Sequence, residues 1–261
     1  MYFNDDEQAS IIDTLFEEPP RIQTNYNQLI VPPVQSRSLP NLGPLPRYSA
    51  IIGVCEDGLP LLFDLSNPVA GCILILGGAH TGKGQLLKSI LLSAALLNPP
   101  RDVNYYIVTP HPGNYSDLAV YDHCSGIYSS YERASRELII ELAAIAEQRK
   151  SGRHMGAMIV LAIDDLYTFI KDREFEVDLH LKWLLKHGPN NGVWCIATLQ
   201  TESISKLRSE HIISFKTRLI ANSYPLALEP GNKLPPQNPY PDTFKTQVGS
   251  QSIQFWIPDL E

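Results

Sequence analysis

The residues with the clearest capacity for chemistry are Gly77, Gly78, Ala79, His80, Thr81, Gly82, Lys83 and Gly84, a run that satisfies the pattern GxxxxGK. Backbone N–H groups of such a loop wrap phosphate oxygens, a following helix adds its positive dipole, and the lysine reaches the outer phosphates. Glycine is needed where φ is positive or where phosphate comes too close for a Cβ. The second group is the apolar run Met158–Ile163, which ends in Asp164 and Asp165. Paired carboxylates at a strand end suit cation-assisted phosphoryl chemistry: Asp164 would hold Mg²⁺ through water, and Asp165 would orient or deprotonate an attacking water. The third is Val193–Thr201, a strand that delivers Thr198 and Gln200 to its C-terminal end. Open α/β sheets bind ligands there, and a polar side chain at that end can sense a γ-phosphate or position water. Each group also has a plain reading, as a strand-to-helix turn, an acidic strand end or loop chemistry.

Elements able to position these groups are legible on both sides of the glycine loop. Gly71–Leu76 is a continuous apolar run of the kind that forms a parallel strand buried on both faces. Lys83–Leu97 follows at helical spacing and stops at Asn98-Pro99-Pro100. Strands are predicted at Val103–Val108, Met158–Ile163, Val193–Thr198 and Phe215–Ala221, and helices at Tyr131–Arg149 and Phe175–His187. Ser49–Cys55 and Leu59–Phe63, parted by Glu56-Asp57-Gly58, form a hairpin ahead of them. The alternation predicts an α/β fold with a mainly parallel central sheet flanked by helices.

Composition narrows the function classes. The chain has 261 residues and a formal charge of −7, with 44% hydrophobic and 19% charged residues, enough apolar content for a real core. Six acids and no base lie in residues 1–20, so residues 21–261 carry 21 basic against 22 acidic side chains. A strongly basic nucleic-acid binder is not indicated, although a local basic surface such as Arg149, Lys150 and Arg153 stays open. Cys55, Cys72, Cys124 and Cys195 show no metal or disulfide spacing. Seven of the 21 prolines fall in residues 1–46. Residues 1–47 therefore read as an acidic, Pro-rich arm or linker, and residues 48–261 as the folded domain. Ser10–Phe16 could form a short amphipathic helix docking on a partner, or a frayed tail. The acidic start has no apolar leader, and the greasiest stretch, Leu86–Leu97, holds Lys88 and is too short for a bilayer. The expectation is a cytoplasmic chain with no membrane segment of its own.

Taken together, Gly77–Gly84, Ile159–Leu166, Gly192–Gln200, Phe215-Lys216-Thr217-Arg218-Leu219-Ile220 and Phe255-Trp256-Ile257-Pro258 resemble, in order and spacing, the FtsK/SpoIIIE branch of the FtsK–HerA P-loop ATPases. The lead-in Ile52-Gly53, Asp57-Gly58-Leu59-Pro60 and Asp64-Leu65 is similar to the segment before that family's phosphate loop. The resemblance implies a RecA-like P-loop NTPase fold, ATP with Mg²⁺, and a ring-forming oligomer. It also implies ATP-driven movement of duplex DNA or, as in type VII secretion relatives, of protein. Lys83 and Gln85 would join the loop in binding nucleotide, and Arg218, in the "TRI" strand, would be the cation offered to a neighbour's site. The departures are Gly84 for the hydroxyl residue, Asp165 for the usual Glu, Leu199 interrupting Ala-Thr-Gln, and Thr109-Pro110-His111 for Asp-Pro-Lys. They imply slow hydrolysis, or a non-catalytic scaffold or regulatory subunit that keeps the fold. The Gly-Lys-Gly ending also resembles nucleoside monophosphate kinases, whose Arg-rich lid this chain lacks.

Overall fold

A computed structural model describes residues 45–152, 156–171, 175–221, 243–258 and 260. The parallel strands are apolar runs: β3 (Ile73–Gly77), β4 (Val103–Thr109), β6 (Met158–Ile163), β7 (Val193–Gln200) and β8 (Thr217–Ala221), with β5 (Cys124–Ser129) at one edge. β1 (Ser49–Cys55) and β2 (Pro60–Asp64) form the expected hairpin, and β9 (Thr243–Val248) and β10 (Gln251–Trp256) form another. All ten lie in one sheet of order β2-β1-β10-β9-β8-β3-β7-β6-β4-β5. From β8 to β5 the pairings are parallel; the two hairpins extend the sheet antiparallel from β8. The chain leaves β3 for β4 and returns through β6 and β7, so the strand order reverses at β3, where such sheets open a crevice at their carboxyl ends.

Helices cover both faces. α1 (Lys83–Leu97) lays Leu86, Leu87, Ile90 and Leu91 on one face with Ile73, Ile75, Ile107 and Ile196. α2 (Arg133–Lys150) and α4 (Phe175–His187) cover the other, where Leu138, Leu142, Leu181 and Leu184 meet Leu74, Leu76, Leu161 and Ile163. Alternate residues of β3 thus enter opposite cores, as a strand buried on both faces requires. Two short helices complete the set: α3 (Leu166–Ile170), directly after Asp165, and α5 (Ser209–Ile213). Trp194 ties the first hairpin down: its indole N–H donates to the Leu65 carbonyl at 3.0 Å, and Phe63 meets its ring edge-on at 5.0 Å.

The fold class expected from the pattern holds, with local corrections. β8 begins at Thr217 rather than Phe215, because the Phe215 N–H still turns back to the Ile212 carbonyl at 3.2 Å at the end of α5. β2 starts one residue late, since the Leu59 N–H turns to the Asp57 carboxylate at 2.9 Å. β5, of sequence CSGIYS, and β9 carry no continuous apolar run and are not signalled by the pattern. Ser10–Phe16 and Arg153 lie outside the described residues, as does nearly all of the N-terminal arm. Among the described residues no helix is long and apolar enough to cross a membrane.

Candidate functional site

The glycine loop leaves β3 under tight steric limits. A Cβ on Gly77 would stand 2.4 Å from the Thr81 hydroxyl and 2.7 Å from the Ala221 Cβ, so only glycine fits there. The Thr81 hydroxyl donates to the Gly78 carbonyl at 3.0 Å, and His80 (φ 58°) and Gly82 (φ 78°) take left-handed backbone conformations. α1 then begins at Lys83 with no side-chain cap and no acid in its first turn. Its first N–H groups and positive dipole end are left for an anion. The Lys83 ammonium donates to the Gly78 carbonyl, closing the loop on itself. Burial pulls the Lys83 pKa down, while Glu202, Asp164 and Asp165 act in the opposite direction.

The acid pair sits at the same end of the sheet because β6 and β7 run side by side, with Ile163 in register with Ala197. The next residues then meet. The buried Thr198 hydroxyl donates to Asp164 Oδ1 at 2.9 Å and accepts the Asp165 N–H at 2.8 Å. The Thr109 hydroxyl, from the end of β4, donates to Asp164 Oδ2 at 3.2 Å. Asp164 is thereby oriented by two hydroxyls and keeps lone pairs for a hydrated cation. Asp165 differs. It lies in the left-handed region (φ 60°) and caps α3: its Oδ1 accepts the Thr168 N–H at 3.2 Å and its Oδ2 accepts the Thr168 hydroxyl at 2.7 Å. Both of its oxygens are engaged with its own helix.

One cleft of about 170 Å³ gathers the groups, lined by His80, Thr81, Gly82, Lys83, Gly84, Asp164, Asp165, Thr198 and Gln200. Gly77 and Gly78 build the turn behind it, while Ala79 and Gln85 are exposed beside it. Gln200, at the tip of β7, is exposed on the cleft rim. Arg218 lies within β8 in register with Leu74, outside its own chain's cleft, and burial lowers its pKa. Arg149, read as a candidate DNA-facing base, instead clamps backbone: its guanidinium donates to the carbonyls of Gly192 at 2.9 Å and Ala157 at 2.7 Å. Among the described residues no group of three or more His, Cys, Asp or Glu side chains is placed to hold a metal ion. Their donor set therefore fits a hard cation carried in with a triphosphate, with Asp164 as the protein's carboxylate, rather than a resident metal cage.

Three residues near the site carry no signal in the sequence. Thr168 holds Asp165, as described. Glu202 follows β7 and approaches the loop, its Oε1 standing 3.6 Å from where a Cβ on Gly78 would be. Tyr115, from the 3₁₀ segment Pro112–Val120, is 1% exposed and turns its hydroxyl towards Gly84 and Asp164. The connection that carries Tyr115 has no motif, so only the tertiary fold reveals it.

No protein-family model matches the chain. Among curated proteins it is 28% identical to the ESX secretion system protein EccC of Thermomonospora curvata, the match covering 47% of this chain. It is likewise 28% identical to the ESX-3 secretion system protein EccC3 of Mycobacterium tuberculosis, over 64% of this chain. The chain spans only 11% and 14% of the lengths of these two relatives. Among solved structures, the cytoplasmic domain of the T. curvata type VII secretion ATPase EccC superposes with a TM-score of 0.66 at 19% identity, covering 86% of this chain and 28% of that one. ATPases 2 and 3 of the same EccC, solved in complex with a signal sequence peptide, give 0.63 at 20% identity, covering 86% of this chain and 44% of that one. Sequence relatives and fold agree with the cleft geometry: the chain has the fold of P-loop ATPase domains and resembles those of the FtsK/SpoIIIE type, with glycine where the loop's hydroxyl residue usually stands.

Proposed function

We propose that this domain binds ATP with Mg²⁺ in the cleft between residues 77–85 and the Asp164–Asp165 pair, and serves as a slowly hydrolysing motor domain in protein translocation. The observation that carries the reading is the meeting of Lys83, the uncapped start of α1 and Asp164 in one cleft. Lys83 exchanges the Gly78 carbonyl for the outer phosphates, and the first N–H groups of α1 take the inner ones. Asp164, steadied by Thr198 and Thr109, holds the cation that arrives with the nucleotide; when bound, that cation offsets charge on the phosphates. Gln200 on the rim positions water. Asp165 is the base of the reaction, and its capture by Thr168 is the reason for slow turnover.

Protein rather than duplex DNA is the favoured cargo. The matched relatives are secretion ATPases, one of them solved with a signal sequence peptide. The near-neutral body and the engagement of Arg149 with backbone carbonyls leave little basic surface for phosphate backbones. We further propose that the domain works in a cytoplasmic oligomeric ring, with Arg218 offered to a neighbour's nucleotide and the segment 1–47 as the arm that engages a partner. The capping role of Asp165 favours one second reading, a nucleotide-binding scaffold that does not turn over ATP. Titration with ATP, with and without Mg²⁺, followed by turnover with peptide or DNA added and sizing with an ATP analogue, separates these. ATP binding with slow, peptide-stimulated hydrolysis supports the motor; binding without turnover leaves the scaffold; phosphate transfer to a nucleoside monophosphate would favour a kinase; no binding removes the nucleotide reading.

A further inference from the structure

The loop's missing hydroxyl has a counterpart elsewhere in the fold. Gly84 opens the first turn of α1, where a serine or threonine side chain would face the cation. A Cβ built on Gly84 meets one atom within 4 Å, the Tyr115 hydroxyl oxygen at 3.7 Å. That tyrosine is 1% exposed, and its hydroxyl faces Asp164 but makes no hydrogen bond of good geometry among the described residues. Buried hydroxyls are seldom left without a well-formed hydrogen bond, and this one stands beside Gly84 and Asp164, two residues that line the cleft. Its ring is held in place by α1 itself: the Lys88 ammonium, four residues after Gly84, lies 5.6 Å from the ring centroid and also pairs with Asp117 at 3.0 Å. A phenol is a hydrogen-bond donor, and Asp164 is the carboxylate that it faces.

Resting on the nucleotide-site reading above, we propose that Tyr115 supplies the hydroxyl that position 84 lacks, hydrogen-bonding the hydration shell of the magnesium ion held at Asp164. Glycine at 84 is then the complement of the tyrosine, since it leaves the space that the phenol oxygen needs. Tyr115 is a positioning residue: it reaches the cation through water and touches no reacting atom. This differs from reading Gly84 as a simple loss, because the donor has moved from the loop to the connection between β4 and β5.

The test is calorimetric titration of a non-hydrolysable ATP analogue, with and without Mg²⁺, into the full chain and its variants. Tyr115→Phe keeps the packed ring and removes an oxygen that makes no hydrogen bond of good geometry, so its melting temperature should change little. It should weaken binding of the Mg²⁺-bound analogue about tenfold while leaving the Mg²⁺-free affinity within about twofold. Adding Gly84→Ser to Tyr115→Phe restores a hydroxyl at the same spot and should recover most of the loss. Equal affinities for wild type and Tyr115→Phe with Mg²⁺ would overturn the proposal. So would a loss of equal size without Mg²⁺, or one that Gly84→Ser fails to recover, since either would reduce Tyr115 to a packing residue. A wild-type chain that binds the analogue under neither condition would sink the nucleotide-site reading itself, a distinct result.

Discussion

Thr168→Val is the most telling perturbation of the acid pair. Valine keeps the shape of threonine and deletes the hydroxyl that donates to Asp165 Oδ2 at 2.7 Å. A charge-assisted bond of that length at a half-buried site is worth about 1.5–3 kcal/mol. That is the free energy now tying the carboxylate to α3 at the cleft wall. The Thr168 N–H bond to Oδ1, at 3.2 Å, survives the substitution, so only one oxygen is released. Taking the lower end of the range, and about 1.4 kcal/mol per tenfold change in rate, kcat should rise about tenfold. The assay is steady-state phosphate release at saturating Mg-ATP, with nucleotide affinity measured in parallel. Affinity should be unchanged, because Thr168 does not line the cleft. A kcat that stays level or falls, in a variant that binds ATP as the wild type does, would refute the idea that Asp165 is held back by its capping role.

Further outcomes follow from the same geometry. Asp165→Glu puts a longer side chain at φ 60°, where aspartate is better tolerated, and should cost about 1 kcal/mol, or about 3 °C in melting temperature; an unchanged melting temperature would contradict the strain. Glu202→Gln removes a carboxylate that faces Lys83 and the incoming triphosphate, and should tighten ATP binding about threefold in titrations at low salt; weaker binding would instead give Glu202 a positive role. Trp194→Phe leaves the Leu65 carbonyl without its donor and should destabilise the domain by about 1–2 kcal/mol, read as a melting temperature about 4 °C lower.

The parts of this molecule legible in its sequence are those with local causes. The helix Lys83–Leu97 keeps the bounds expected from its apolar spacing and its Asn98-Pro99-Pro100 stop, and Met158–Ile163 does so because a strand buried on both faces is apolar throughout. The glycine loop is legible because phosphate binding constrains contiguous backbone. What cannot be read is what strand order creates. Thr198 meets Asp164 only because β7 lies against β6, and Thr109 meets it because β4 lies on the other side. Aspartate at 165 reads in the sequence as a shortened base, yet the fold shows a left-handed residue capping α3, a conformation that suits aspartate better than glutamate. Glu202 and Tyr115 belong to 3₁₀ segments with neither apolar period nor motif. Arg149 shows the converse: its place in a charged helix end suggests solvent or nucleic acid, while its guanidinium is occupied by the loops around Ala157 and Gly192.

The central claim is that Lys83 and the uncapped start of α1 form a cradle for a triphosphate. Titrating ATP into wild type and Lys83→Ala at equal protein concentration tests it directly. Among the described residues the lysine hydrogen-bonds the Gly78 carbonyl on its own loop and none of the core, so the substitution leaves the core intact and both proteins should melt alike. Saturable binding by the wild type that is lost in Lys83→Ala is the predicted result; equal affinity in the two proteins would show that the nucleotide, if it binds at all, binds elsewhere.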